Sequence, residues 1–192
     1  MNDPATAKTW LMAFGKDFGV MAQGDNKTGQ NGTNSIFVMT HDDIARIPPN
    51  QTATYARVVV DFRPQKSDPH RIRITPRGNL VNYPGELSTH TADLTTSKLM
   101  WNSVLSTESA NYMCLDIKNF YLSVPLDKFK YMKMPLVLFP EWNKIQYDLN
   151  KYALNGLVYL EMRHAVWGLP QASIFGKQTA GTPPSPPRLL QM

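Results

Sequence analysis

The sequence predicts an α+β fold, because helical and strand periodicities occupy separate stretches of its 192 residues and no internal repeat is present. Three observations carry that prediction. An apolar stripe at helical spacing opens the chain, a hairpin pattern spans residues 54–75 and ends in a basic and apolar alternation at 71–75, and a strand-like run at 113–122 follows a segment with a helix cap. Apolar residues make up 42% and charged residues 18%, a globular rather than a disordered composition. The length suits one core and is marginal for two.

Trp10, Phe14, Phe18 and Met21 follow i, i+4, i+8, i+11, which predicts a helix from about Lys8 to Ala22, weakened by Gly15 and Gly19. Gln23 to Asn34 reads as a turn-rich loop around Gly24, Gly29 and Gly32. It is not a phosphate loop: the spacing of Gly24 and Gly29 fits, but Gln30 stands where the lysine belongs. Ser35 to Thr40 is a strand candidate, and His41 to Pro49 a turn or short helix. Thr54 to Arg63 and Arg71 to Thr75 form a predicted hairpin with its arginines on one face, turning at Pro64 to His70. Asp93 is positioned to cap a helix from Leu94 to about Ser106, for which Met100, Trp101, Val104 and Leu105 supply a buried stripe. The strand-like run Met113 to Leu122 comes next. Trp142, Ile145, Leu149 and Tyr152 then recur at helical spacing up to Asn155-Gly156, and Leu157 to Val166 alternates as a strand. Gly176 to Met192 has Pro183, Pro184, Pro186 and Pro187 without periodicity, so a tail lacking regular structure is expected, and its abrupt start suggests an accidental terminus such as a frameshift or splice error.

Several function classes are disfavoured at once. Cys114 is the single cysteine, which excludes an internal disulfide or a clustered-thiolate zinc site and reads as a small core residue. His41, His70, His90 and His164 never fall at metal-ligand spacing. No apolar run approaches the roughly 18 to 20 residues of a membrane span, and the N-terminus lacks the regions of a signal peptide. An intracellular protein is expected, without a membrane partner.

The net charge of +5 is concentrated between Tyr55 and Asn79, where Arg57, Arg63, Lys66, Arg71, Arg73 and Arg77 face only Asp61 and Asp68. Clustered guanidinium groups favour phosphate, in a nucleic-acid backbone or a triphosphate, because each can bond two oxygens. A solvated basic face is the plainer alternative. Asp116 is the second candidate. A carboxylate in an apolar strand costs several kcal/mol unless a cation or donor meets it. It therefore reads either as a metal ligand or as a structural carboxylate paired with Lys118 or an arginine. Tyr121 taken alone reads as a core aromatic, and Gly168-Leu-Pro170 taken alone as an ordinary turn.

In order along the chain, Trp10, Gly32-Thr33, Tyr55-Ala-Arg57, the Asp-x-Lys-x-x-aromatic core at 116–121, Tyr131-Met132 with Pro135, Val158-Tyr-Leu160 and Gly168-Leu-x-Gln171 resemble the reverse transcriptases of copia-like LTR retrotransposons. The resemblance covers roughly residues 9 to 175. Ser173 departs from the usual proline or glycine, and Asp61-Phe62 looks more retroviral than copia-like. The fold it implies is the fingers and partial palm of a right-hand polymerase. Fingers would occupy residues 1–90 and 126–166, palm elements with motif A 91–125, motif B 167–175, and the Pro-rich tail 176–192.

The resemblance also implies roles. Asp116 would be the catalytic carboxylate binding both magnesium ions, with the Ile117 carbonyl as a further metal ligand. Tyr121 would be the aromatic gate beneath the nucleotide sugar, and Gln171 would pack near that sugar. Arg63 is the foremost candidate for a triphosphate contact. Lys66, Arg71 and Arg73 would contact either the triphosphate or the nucleic-acid backbone. Substrates would be deoxynucleoside triphosphates with a primer on an RNA or DNA template, in the cytoplasm, in virus-like particles or in the nucleus. The family's motif C, Tyr-x-Asp-Asp, occurs nowhere in the 192 residues, and neither do thumb or RNase H regions. That implies an RNA-directed DNA polymerase fragment, inactive by itself. The alternatives are a non-catalytic nucleic-acid-binding fragment and a functionless transposon relic.

Overall fold

The computed structural model describes residues 4–77, 93–113 and 117–169. Asp116 and Gln171 lie outside the described residues, as do Cys114, His90 and the tail at 176–192. The fold is α+β, with a five-stranded mixed, curled sheet that forms a half-barrel and several helices.

Helix α1 runs Pro4–Met21, longer at its start than the periodicity predicts. It begins on a proline, whose missing N–H costs nothing in the first turn. Phe14, Phe18 and Met21 are buried as expected. Phe18 meets Phe139 at 5.1 Å and Tyr147 at 5.2 Å, both edge to face. The turn-rich loop follows, with Gly24 and Gly29 at positive φ and an isolated bridge between Asp25 and Gln30. Strand β1 is Ile36–Val38 and helix α2 His41–Ala45, the latter closed by a capping box between Thr40 and Asp43.

The hairpin is β2 (Thr54–Phe62) and β3 (His70–Pro76). Its register pairs Asp61 with Arg71, Val59 with Arg73 and Val58 with Ile74. Ile72 and Ile74 therefore enter the core while Arg71 and Arg73 project from the other face. β2 is less one-sided than expected, since Val59, Val60 and Phe62 are exposed.

Three predicted elements are corrected, the third of them further along the chain. Helix α3, Leu94–Ser106, has the predicted bounds, and Asp93 caps it by accepting the Thr96 amide at 2.6 Å. Its stripe is not buried, however: Met100 is 45%, Trp101 51% and Leu105 81% exposed, because no described element covers that face. The strand expected to run to Leu122 is absent over its described part. Lys118 and Asn119 form a turn, with Asn119 left-handed at φ 57°, and Phe120–Ser123 is a 3-10 helix.

Strand β4, Pro125–Pro135, is the element the periodicity missed. It joins the two halves of the sheet, pairing antiparallel with β5 (Leu157–His164) and parallel with β2 at Thr54 and Tyr55. β1 adds to the far side of β5, giving the order β1-β5-β4-β2-β3. Met132, Met134, Val158, Leu160 and Met162 are fully buried on the core face. The helix expected through Trp142 to Tyr152 is two short ones, α4 (Glu141–Gln146) and α5 (Leu149–Tyr152), broken where Asp148 turns left-handed at φ 51°. Ile145, one of the residues at that helical spacing, is 76% exposed.

Candidate functional site

β3 supplies the first part of the site. Its alternation sends Ile72 and Ile74 inward and turns Arg71 and Arg73 into an open cleft of about 510 Å³, whose other walls are residues 117–121 and Trp167. A second cleft of about 420 Å³ adjoins it, sharing Arg71, Lys118, Asn119 and Trp167 and adding Arg63, Lys66, Asp17 and Asp68. Segments separated by tens of residues in sequence thus meet around one cationic hollow.

Trp167 ties the third segment to the hairpin. The Arg73 guanidinium lies 5.1 Å from its ring centroid, within cation–π range. The neighbouring Gly168 has φ +92°, and a Cβ there would lie 3.1 Å from the Thr75 Cβ. Glycine therefore lets this turn adopt its left-handed shape directly against β3.

The basic groups differ in how much of their charge is engaged. Arg63 donates its Nε to Asp61 at 2.6 Å. Lys16 of α1 pairs with Asp68 across the second cleft. The Arg73 Nε is shielded from solvent and has no hydrogen-bond partner among the described residues, so any contact of that guanidinium with an anion in the cleft falls to its terminal nitrogens. Asp17, on α1, accepts the Ile74 amide at 2.9 Å. Burial pushes its carboxyl from 3.8 up to about 7, against the pull of that hydrogen bond and of Arg73.

Of the residues singled out in the sequence, Arg71, Arg73, Ile117 and Tyr121 line the first cleft, and Arg63, Lys66 and Arg71 the second. Tyr121 is half-buried beside Phe120, with ring centroids 5.7 Å apart, and Ile117 is 59% exposed. Asp116 and Gln171 border this region in sequence, but both are outside the described residues. Among the described residues no group of three or more His, Cys, Asp or Glu side chains could hold a metal ion. Sequence reasoning missed Asn119, Trp167 and Asp17 as site residues, and gave Lys118 only the part of a partner for Asp116. Trp167 had a signal, since it opens the Gly-Leu-Pro-Gln segment. Asp17 had a weaker one, a carboxylate on the flank of an apolar helix.

No helix of the described residues is long and apolar enough to cross a membrane. The chain matches no family model, no curated protein and no solved structure.

Proposed function

We propose that the chain is a fingers and partial-palm portion of an RNA-directed DNA polymerase of the copia-like retrotransposon kind. The observation that carries this reading is the convergence at the first cleft. Arg71 and Arg73 of the hairpin, the segment that follows Asp116, and the tryptophan that opens the Gly-Leu-Pro-Gln segment all line one hollow. The resemblance puts its foremost phosphate candidate at Arg63, which lines the adjoining second cleft and not this one, and composition alone would not bring these segments together.

In this reading Arg71 and Arg73 bond phosphate oxygens, with Arg63 and Lys66 extending the cationic wall along the second cleft. Tyr121 offers its ring to the sugar of a bound nucleotide. Asp116 and the Ile117 carbonyl are the groups that would hold magnesium, which when bound activates a primer hydroxyl and steadies the triphosphate. The 192 residues contain no Tyr-x-Asp-Asp, so the chain by itself is expected to bind and not to incorporate nucleotide. That same absence favours a second reading, a fragment that binds nucleic acid through the hairpin without catalysis.

The test is fluorescence anisotropy with a labelled primer–template duplex at low and moderate salt. The wild-type chain should bind, and affinity should fall with salt as counterions return to the phosphates. Arg71→Gln with Arg73→Gln should weaken binding and lower the salt slope by about one for each lost phosphate contact. Affinity and slope unchanged in that double variant would rule out the cleft as the binding surface, and the proposed function with it.

A further inference from the structure

The sheet face turned away from the core carries a pattern that neither cleft uses. Register sets Tyr55, Lys133 and Tyr159 in one row across β2, β4 and β5. The Lys133 ammonium lies 4.8 Å from the Tyr55 ring centroid and 5.7 Å from that of Tyr159. Farther along, the Arg163 guanidinium lies 4.0 Å from the Phe37 centroid and 5.5 Å from that of Phe129. Residues two apart on a strand share a face. Tyr159 and Arg163 therefore project to one side, while Leu160 and Met162 are buried in the core on the other.

Core packing does not account for these rings. Tyr55 is 47% and Phe129 42% exposed, while Tyr131, on the same face of β4 between the two clusters, is buried. The cations are interleaved with the rings rather than gathered at one end. Glu161 bonds the Arg163 Nε at 2.7 Å and offsets part of its charge. Lys133 makes no ion pair among the described residues. Along β2 the same face continues to the exposed Arg57 and, through the Val59–Arg73 pairing, borders the cleft side of β3.

We propose that this face binds single-stranded nucleic acid, with bases stacking on Tyr55, Tyr159 and Phe129 and phosphates meeting Lys133, Arg163 and Arg57. Aromatic rings accept any base through its π face, and cations set between them follow the backbone, so the pairing suits a strand whose bases are unpaired. A duplex hides those bases and would meet only the cations. The inference rests on the proposed function, that the chain handles nucleic acid, and adds a surface for the unpaired strand to the cleft proposed for the paired one.

The test uses the full chain and a labelled oligothymidylate single strand, beside the primer–template duplex. Tyr55→Ser is expected to weaken single-strand binding roughly tenfold and to leave duplex binding unchanged. Phe129→Ser should act in the same direction, and a bromouracil-substituted strand should photocrosslink to peptides of β2, β4 or β5. Unchanged single-strand affinity in both variants, or crosslinks confined to the cleft peptides, would overturn the proposal. If the sheet variants change nothing while Arg71→Gln with Arg73→Gln still weakens duplex binding, this inference fails and the proposed function stands. Loss of single-strand binding in the sheet variants, with the cleft variant silent toward duplex, would uphold the sheet face as a binding surface and overturn the proposed function instead.

Discussion

Asp17 is the residue whose chemistry is most altered by the fold. Its carboxylate accepts the Ile74 amide on the edge strand of the sheet, and burial holds its pKa at about 7 rather than 3.8. A pKa raised on folding means that the folded chain binds more proton than the unfolded one between about pH 4 and about pH 7. The unfolding free energy therefore falls as pH rises through that window, and the advantage of the neutral form is gone above it. Asp17→Asn keeps an oxygen for the Ile74 amide and removes the titration. Thermal melts of both proteins should coincide near the acid end of the window, and the variant should be the more stable above its upper end. A stability difference that is the same at both ends would mean that Asp17 does not titrate there. Tyr147 makes a simpler case, because its hydroxyl donates to the Gly24 carbonyl and burial pushes its pKa to about 12. Tyr147→Phe should lower stability by about 1 kcal/mol, read from the urea midpoint, at every pH below that of phenol ionisation.

At the scale of elements, α1 shows how a residue that reads as a weakness serves packing. Gly15 and Gly19 look like helix weakeners, and on an exposed helix alanine would gain about 1 kcal/mol. Here a Cβ at Gly19 would lie 2.6 Å from the Asp25 Cβ and 2.9 Å from the Asp25 amide nitrogen. The loop comes that close because Asp25, almost fully buried, accepts the Lys27 amide at 2.8 Å and the Trp142 indole at 3.2 Å. Gly19→Ala is thus expected to destabilise by about 1 to 3 kcal/mol, and a variant with a raised urea midpoint would contradict the packing. The same contrast explains what was legible. α1, the β2–β3 hairpin and the bounds of α3 announce themselves through period and cap. β4 does not, because Asp127, Lys128, Lys130 and Lys133 break its alternation and only pairing with β5 and β2 buries Met132 and Met134. α3 fails in the opposite sense. Met100, Trp101 and Leu105 have the spacing of a core stripe, but spacing does not specify a partner, and these side chains remain exposed. In the candidate site, the arginine face of β3 could be read from alternation, whereas its meeting with Trp167 depends on long-range sheet topology that no local pattern encodes.

For the whole molecule the decisive quantity is the number of carboxylates that can share two metal ions. In the proposed polymerase Asp116 is one of them, and the second belongs to a Tyr-x-Asp-Asp hairpin that the 192 residues do not contain. A single aspartate cannot hold two divalent ions against their mutual repulsion, since in two-metal sites they stand about 3.5 to 4 Å apart. The chain alone should therefore bind primer–template through its cationic clefts and extend nothing, with or without magnesium. Joined to a segment that carries the Tyr-x-Asp-Asp hairpin and the rest of the palm, it should incorporate deoxynucleotides in a magnesium-dependent manner. Asp116→Asn in that joined protein should abolish incorporation, while duplex affinity, which rests on Arg71 and Arg73, stays near the wild-type value. The split between chemistry and binding is what makes the experiment discriminating: a misfolded variant loses both, and a metal-binding defect loses only incorporation. Retained turnover in Asp116→Asn would show that Asp116 is the structural carboxylate of the plainer reading, and the polymerase assignment would fall.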